Sequence, residues 1–205
     1  MSQIALPLDA TGVAAPSRIV AGNANAHVIE AFENAGNWPF RTAVLCGPPR
    51  SGKSILARWF SESGMGEAID DADRMDETGL FHRWNRAQAS GAPLLLVTSA
   101  KGGVWKIALP DLASRIGAAL CLEVGPPDDA MLGELIALHA ELRGLVLDDS
   151  AAAYLVPRCE RSHLGVERLV MAIDRLSLER KQPPGMAIWR DALDELAGGS
   201  EPRLP

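Results

Sequence analysis

A chain of 205 residues with 47% hydrophobic and 22% charged side chains can bury a real core and has the make-up of a globular protein, one domain with a smaller satellite. Its formal net charge of −6 argues against a free-standing nucleic-acid binder, which carries a basic face. No apolar run approaches the roughly 20 residues needed to cross a bilayer, and no basic region precedes a long apolar stretch at the N-terminus, so the expected compartment is the cytoplasm, with no membrane partner.

Residues 1–18 are rich in Ala, Pro and Gly and lack sustained periodicity, which predicts a flexible tail; within it lies one ordered-looking hexapeptide, Gln3-Ile4-Ala5-Leu6-Pro7-Leu8. Val28, Ile29 and Phe32 recur at helical spacing and predict a helix from Asn25 to Ala35, stopped by Gly36. Thr42 to Cys46 predicts a short apolar strand, followed by a Gly-rich turn and a helix from Lys53 to about Phe60. Ile69 leads into Asp70-Asp71, a helix is expected from Thr78 to Ala89, and Pro93 introduces a buried strand from Leu94 to Thr98. Ala118 to Val124 is another apolar run, closed by Gly125-Pro126-Pro127. Strands alternating with helices predict an α/β domain over residues 19–126, a parallel sheet covered by helices on both faces. After Pro127 the stretches Asp128 to Leu142, Asp149 to about Val156, His163 to Arg180 and Ala187 to Leu196 all read as amphipathic helices, the first capped by Asp128 or Asp129. No strand interrupts them, so residues 127–205 are expected to form a small all-helical domain.

The chemistry concentrates in one motif. Gly47-Pro48-Pro49-Arg50-Ser51-Gly52-Lys53-Ser54 fits G-x-x-x-x-G-K-[ST] in full, between the strand and the helix that its mechanism requires. The glycines let backbone N–H groups point inward as an anion nest, and the helix aims its positive N-terminal end at the same phosphates. Lys53 is expected to reach the β- and γ-phosphates and Ser54 to ligate Mg²⁺, making ADP or ATP with Mg²⁺ the ligand. Asp70 and Asp71 are the candidate Mg²⁺ ligand and the acid that polarises the attacking water, since nothing else between the loop and Leu94 fills those roles. A helix-capping or loop role for Asp70, Asp71 and Asp73 competes with that reading. Cys46, Cys121 and Cys159 are odd in number and widely spaced, as buried reduced thiols would be, and the four histidines show no metal-binding spacing. Arg and Lys gather between Arg158 and Lys181, but interleaved Glu160, Glu167, Asp174 and Glu179 make this a solvated helical face.

Several segments resemble the Hda-type regulators, short relatives of the bacterial initiator DnaA. They are the loop Gly47–Ser54, Ile69-Asp70-Asp71-Ala72-Asp73-Arg74, Leu80-Phe81-His82-Arg83-Trp84-Asn85, Ala108-Leu109-Pro110-Asp111-Leu112-Ala113-Ser114-Arg115, Gly125-Pro126-Pro127-Asp128-Asp129 and Leu169–Leu178. The resemblance spans nearly the whole chain, and the segment ending in Ser114-Arg115 is its most specific part. It implies an AAA+ core whose helical domain is a lid, a regulator that inactivates DnaA by stimulating hydrolysis of DnaA-bound ATP, and slight intrinsic turnover. It also implies that Arg115 is an arginine finger acting in trans on a neighbour's ATP; the alternative for a lone Arg is a surface salt pair. The hexapeptide looks like the family's motif for binding the DNA polymerase sliding clamp (the β subunit), with Gln3, Ile4, Leu6 and Leu8 as the contact residues.

Three departures from the family stand out. The initiator's C-terminal DNA-binding helices are missing, in keeping with the acidic charge and with no sequence-specific DNA contact. The stretch between Ser54 and Asp70 is too short for an additional strand that the family has at a sheet edge. The lid arginine called sensor 2 aligns with Glu167, leaving Arg168, one residue and about 100° of helix away, as the candidate nucleotide contact. An independent AAA+ ATPase or loader and a non-catalytic adaptor that holds nucleotide as a structural ligand are the rival readings, and self-association is compatible with all three.

Overall fold

The computed structural model describes residues 18–198 together with the backbone of Ile4 and Ala5. The chain divides after Gly125 into two compact units. In the first, β1 (Ile4–Ala5) pairs antiparallel with β2 (Arg18–Ile19), so part of the stretch expected to be a tail is paired backbone; Gln3, Leu6 and Leu8 of the hexapeptide lie outside the described residues. Helix α1 (Ala26–Glu33) ends before Ala35. Asn34 closes it by donating its backbone N–H to Ala31 and Phe32, and Gly36 falls inside a following 3-10 turn, not at the helix stop.

Four parallel strands then form the sheet: β3 (Thr42–Cys46), followed by α2 (Lys53–Glu62); β4 (Glu67–Ile69), followed by α3 (Glu77–Ser90); β5 (Leu94–Val97), followed by α4 (Pro110–Gly117); and β6 (Leu120–Glu123). The spatial order is β4-β5-β3-β6, with Thr42 opposite Leu94 and Ala43 opposite Leu120. Strands sandwiched between helices are apolar on both faces, and every residue of β3 and β5 is buried. Val44, Leu94 and Leu96 pack with Leu80 and Trp84 of α3 and Leu112 and Ile116 of α4 in one core cluster. Elsewhere in this unit Phe32, Trp38 and Phe60 form an aromatic cluster, with ring centroids 4.9 Å apart for Phe32–Phe60 and 5.5 Å for the stacked Trp38–Phe60 pair.

The second unit is helical throughout its described residues: α5 (Asp129–Leu142), α6 (Asp149–Leu155), α7 (His163–Arg180) and α8 (Met186–Gly198). Asp128, not Asp129, caps α5, accepting the Met131 N–H at 2.9 Å; Asp148 and Ser162 cap α6 and α7 in the same way. Leu132, Leu155, Val166, Leu169, Val170, Ile173 and Ile188 are wholly or almost wholly buried and form its core. No helix among the described residues is long and apolar enough to cross a membrane.

The turn into β4 has no room to spare. A Cβ on Gly66 would stand 2.4 Å from the Pro93 carbonyl oxygen and 2.7 Å from the Phe60 ring. Gly66→Ala should therefore destabilise the protein by about 1–3 kcal/mol, as overpacking does. Gly36→Ala, where a Cβ meets nothing within 4 Å, should stay within about 0.5 kcal/mol of the parent. Equal urea midpoints for the two variants would contradict this packing.

Candidate phosphate-binding site

Cys46 ends β3 fully buried, and the chain turns through Gly47–Gly52 into α2. Gly47 has φ 147°, and a Cβ on it would fall 2.9 Å from the Val124 carbonyl oxygen, so only glycine lets the strand end approach β6 this closely. Gly52 has φ 82° and precedes α2; a Cβ there would meet no atom within 4 Å, which leaves that side of the loop open. Arg50 is held at φ 64°, a left-handed conformation that costs a non-glycine residue about 1–2 kcal/mol. Ser51 is buried and its N–H reaches the Pro48 carbonyl at 3.3 Å, but its Oγ has no hydrogen-bond partner. A buried orphan hydroxyl costs about 1–3 kcal/mol, and a phosphate oxygen in the loop is a partner of the right kind.

Lys53 Nζ donates to the Gly47 and Pro48 carbonyls, 3.0 Å each, so the ammonium is folded over the loop. Burial pushes it down from its ordinary range, while Asp70, Cys46, Asp71 and Asp73 pull it back, in that order of strength. The three carboxylates thus lie within electrostatic reach of the lysine. Ser54 is exposed on the first turn of α2, beside the unpaired N–H groups of the helix start. A loop with open backbone donors, an orphan hydroxyl and a half-buried ammonium fits a nucleotide diphosphate or triphosphate. Ser54 and Asp70 both lie at the loop's edge of the sheet, and each carries an oxygen of the kind that Mg²⁺ takes.

Because all four strands are parallel, the residues after β4 and β5 leave the sheet at the same edge as the loop. Asp70 and Asp71 are exposed there. Asp70 Oδ1 accepts the Asp71 N–H at 3.0 Å, and the Asp71 carboxylate lies 3.7 Å from Arg74. Asp71 flanks the 3-10 turn Ala72–Arg74 without capping it through its side chain. Asp73 is the bracing carboxylate: it accepts the Ser99 N–H at 3.4 Å and the Ser99 hydroxyl at 3.0 Å, tying the acidic turn to the end of β5. Thr98 and Ser99 carry polar groups to this edge, and sequence reasoning passed over them. Their one signal is their position after an apolar strand, and that says nothing until the strand order is known.

Arg115 stands elsewhere. Helix α4 runs into β6, so its C-terminal end lies at the sheet edge opposite the loop, and Arg115 is two residues from that end. Its guanidinium covers the rings of Phe81 and Trp84, 4.6 and 4.3 Å from their centroids, and donates to Asn85 Oδ1 at 2.6 Å. These three residues of α3 share one helix face at i, i+3 and i+4 spacing. At the other end of α4 the Glu77 carboxylate accepts the N–H groups of Ala108 and Leu109 at 2.8 and 2.7 Å. Arg168 belongs to the second unit, exposed on α7, where it lines a cavity with Arg158, Cys159 and Glu160. Its neighbour Glu167 keeps Oε2 out of solvent.

The seat of Arg115 carries stability. Arg115→Ala should lower it by about 1–2 kcal/mol through lost ring and hydrogen-bond contacts. A double-mutant cycle of Arg115→Ala with Trp84→Leu should give a coupling of about 0.5–1 kcal/mol in urea unfolding. A coupling of zero would mean the stacking contributes nothing in solution.

No family model matches the sequence. Over 170 residues the chain is 25% identical to an uncharacterised protein of Haemophilus influenzae, covering 78% of this chain and 73% of the relative. Among solved structures, domain III of the replication initiation protein DnaA of Thermotoga maritima matches with a TM-score of 0.66 at 13% identity, over 86% of this chain and 94% of that one. The Holliday junction branch migration motor RuvB of Thermotoga maritima matches with a TM-score of 0.58 at 20% identity, over 85% and 68%. A replication initiator DnaA bound to AMPPCP and single-stranded DNA matches with a TM-score of 0.57 at 15% identity, over 80% and 66%. The parallel sheet with its surrounding helices is the fold of DnaA domain III and RuvB.

Proposed function

We propose that this chain binds ADP or ATP with Mg²⁺ in the loop Gly47–Ser54 and regulates DNA replication initiation by stimulating hydrolysis of ATP bound to DnaA. One observation carries the reading: a complete phosphate loop and the Arg115 guanidinium stand at opposite edges of one sheet. An edge that receives nucleotide and another that offers a guanidinium suit a head-to-tail contact, in which one subunit's arginine meets the next subunit's phosphates. The fold shared with DnaA domain III makes a DnaA protomer a structurally matched neighbour for such a contact, and the Hda-like segments select it over a second copy of this chain. Docking on the sliding clamp belongs to the hexapeptide, where Gln3, Ile4, Leu6 and Leu8 would occupy a groove as an extended peptide.

Within the chain's own site, Gly47, Pro48, Pro49, Arg50, Ser51 and Gly52 supply the cradle, and Lys53 exchanges two carbonyls for phosphate oxygens. Ser54 and Asp70 hold the metal, which screens phosphate charge when bound. Asp71 is the residue we assign to orienting water, and its carboxylate faces Arg74 at 3.7 Å. That engagement favours slow intrinsic turnover, with nucleotide acting chiefly as a ligand.

Lys53→Ala should abolish tight ADP binding by calorimetry and remove the rise in melting temperature that ADP gives the parent, because a ligand stabilises only the state that binds it. Unchanged ADP affinity would sink the assignment of Gly47–Ser54.

The regulatory reading is tested by measuring hydrolysis of DnaA-bound ATP with this protein and DNA-loaded clamp. Arg115→Ala should remove the stimulation, up to the roughly 10³–10⁵-fold that arginine fingers contribute, while leaving the protein's own ADP affinity unchanged. Arg115→Lys should rescue poorly, since an ammonium lacks the planar fork. Deleting residues 1–9 should remove clamp binding alone. Undiminished stimulation by a folded Arg115→Ala protein would leave the adaptor reading as the better account.

A further inference from the structure

Two of the three cysteines take no part in the site described above, yet meet beneath it. In the β3–β6 register Val44 faces Cys121 and Cys46 faces Glu123, so Cys46 and Cys121 are diagonal partners on the same face of the sheet. Gly103, at φ 71°, covers them: a Cβ on it would stand 3.2 Å from Cys121 Sγ and 3.7 Å from Cys46 Sγ. Both are free thiols, Cys46 buried and Cys121 exposed. The Cys121 thiol also reaches the Gly102 carbonyl at 3.6 Å. A reagent in solution therefore meets Cys121 first, with a second sulfur directly behind it.

Cys46 is also the residue before Gly47. The glycine has little slack, since a Cβ on it would stand 2.9 Å from the carbonyl oxygen of Val124, three residues beyond Cys121 on the neighbouring chain segment. On parallel strands about 4.8 Å apart with a rise of about 3.3 Å per residue, diagonal partners two positions out of register lie roughly 8 Å apart, whereas a disulfide spans Cα atoms about 4.4–6.8 Å apart. Joining the two sulfurs must draw the end of β3 towards β6, and the first residue of the phosphate loop moves with it.

We propose that Cys46 and Cys121 form a redox modification site at the root of the phosphate loop, closed by a low-molecular-weight disulfide such as glutathione disulfide, and that closure lowers nucleotide affinity. The Cys121 thiolate attacks one sulfur of glutathione disulfide, expelling one glutathione thiolate and leaving a mixed disulfide. The Cys46 thiolate then attacks Cys121 Sγ and expels the second glutathione. Two protein S–H bonds are lost and one S–S bond is formed; the oxidant's S–S bond is reduced, and the two protons end on the two glutathione thiols. Burial above all, with Cys121 and Glu123 adding to it and Lys53 opposing, pushes the Cys46 thiol up to about 11. The second attack is accordingly the slow step, and reduction restores the open loop.

The effect on affinity rests on the nucleotide reading given above; the closure itself does not. The experiment treats the full chain with glutathione disulfide and then with dithiothreitol. Intact mass should fall by two hydrogen atoms, a non-reducing peptide map should join the Cys46 and Cys121 peptides, and ADP affinity should fall about tenfold or more and return on reduction. Cys121→Ser should bind ADP as the parent does and show no response to the oxidant. A lasting glutathione adduct on Cys121, a disulfide routed through Cys159, or a Cys46–Cys121 disulfide with unchanged ADP affinity would each overturn the proposal. If the reduced parent failed to bind ADP at all, the nucleotide reading would fall, and the mass and peptide map would still decide whether the pair closes.

Discussion

The close approach of Gly47 to Val124 is the constraint on which the rest of the first unit turns. β3 is hydrogen-bonded to β5 on one side and β6 on the other, and each of its residues is buried, so its position is set by both neighbours. Its last residue delivers the loop to a fixed point. The Val124 N–H bonds the Cys46 carbonyl at 2.9 Å, and the Gly125 N–H bonds the Ala24 carbonyl at 2.9 Å, which draws the segment before α1 to the same edge. His27, at the start of α1, adds a bond to the Glu123 carbonyl at 2.9 Å. The loop is thereby walled by residues far from it in sequence.

How much of this the sequence discloses depends on the reach of each interaction. The phosphate loop and the strand before it are legible because residue type, spacing and order all lie within a dozen consecutive positions. Helix α7 is legible end to end because Ser162 supplies a cap, the apolar positions keep a 3.6 period, and Lys181 breaks the helix in a left-handed conformation. Helix α4 is not legible in the sequence pattern, since eight residues opened by Pro110 carry only two buried core positions, Leu112 and Ile116. β4 is three residues long and only one of them is buried, so its strand character comes from pairing with β5 and not from its own pattern. The role of Asp73 was open for a similar reason: its partner Ser99 is 26 residues away. The aromatic seat of Arg115 and the Glu77 clamp on α4 involve separations of 30 to 34 residues and depend on the sheet order.

α3 links the two edges of the sheet. Its first turn holds the Glu77 carboxylate that fixes the start of α4, and its middle holds the rings that seat Arg115. Its Arg83 side chain bonds Glu67 on the edge strand β4, whose other flank meets no further strand in the sheet. An edge strand left open presents unpaired backbone groups. Here the exposed side is short, the Ala68 N–H is taken by the Ser61 hydroxyl at 3.1 Å, and Glu67 adds charge. The open edge is thus blunted locally, by one hydroxyl and the two ion pairs of Glu67 with Arg83 and Arg86, and the helix that makes those pairs also positions Arg115.

That arrangement has a consequence for how Arg115 could act on a partner. A solvent-exposed arginine carries about 2 kcal/mol of rotamer entropy, and ordering it at an interface opposes binding. Arg115 has already surrendered much of that freedom, because two ring faces fix the plane of its guanidinium and Asn85 fixes its rotation within that plane. Stacking also replaces water on the guanidinium face, while the hydrogen bond to Asn85 engages one of the five N–H donors a guanidinium carries. A phosphate approaching in the plane of the fork would meet charge that is pre-oriented and already partly stripped of water. The same geometry bears on a lysine at this position: an ammonium has no plane for the rings to set, so the seat built by α3 would hold its stem without directing its charge.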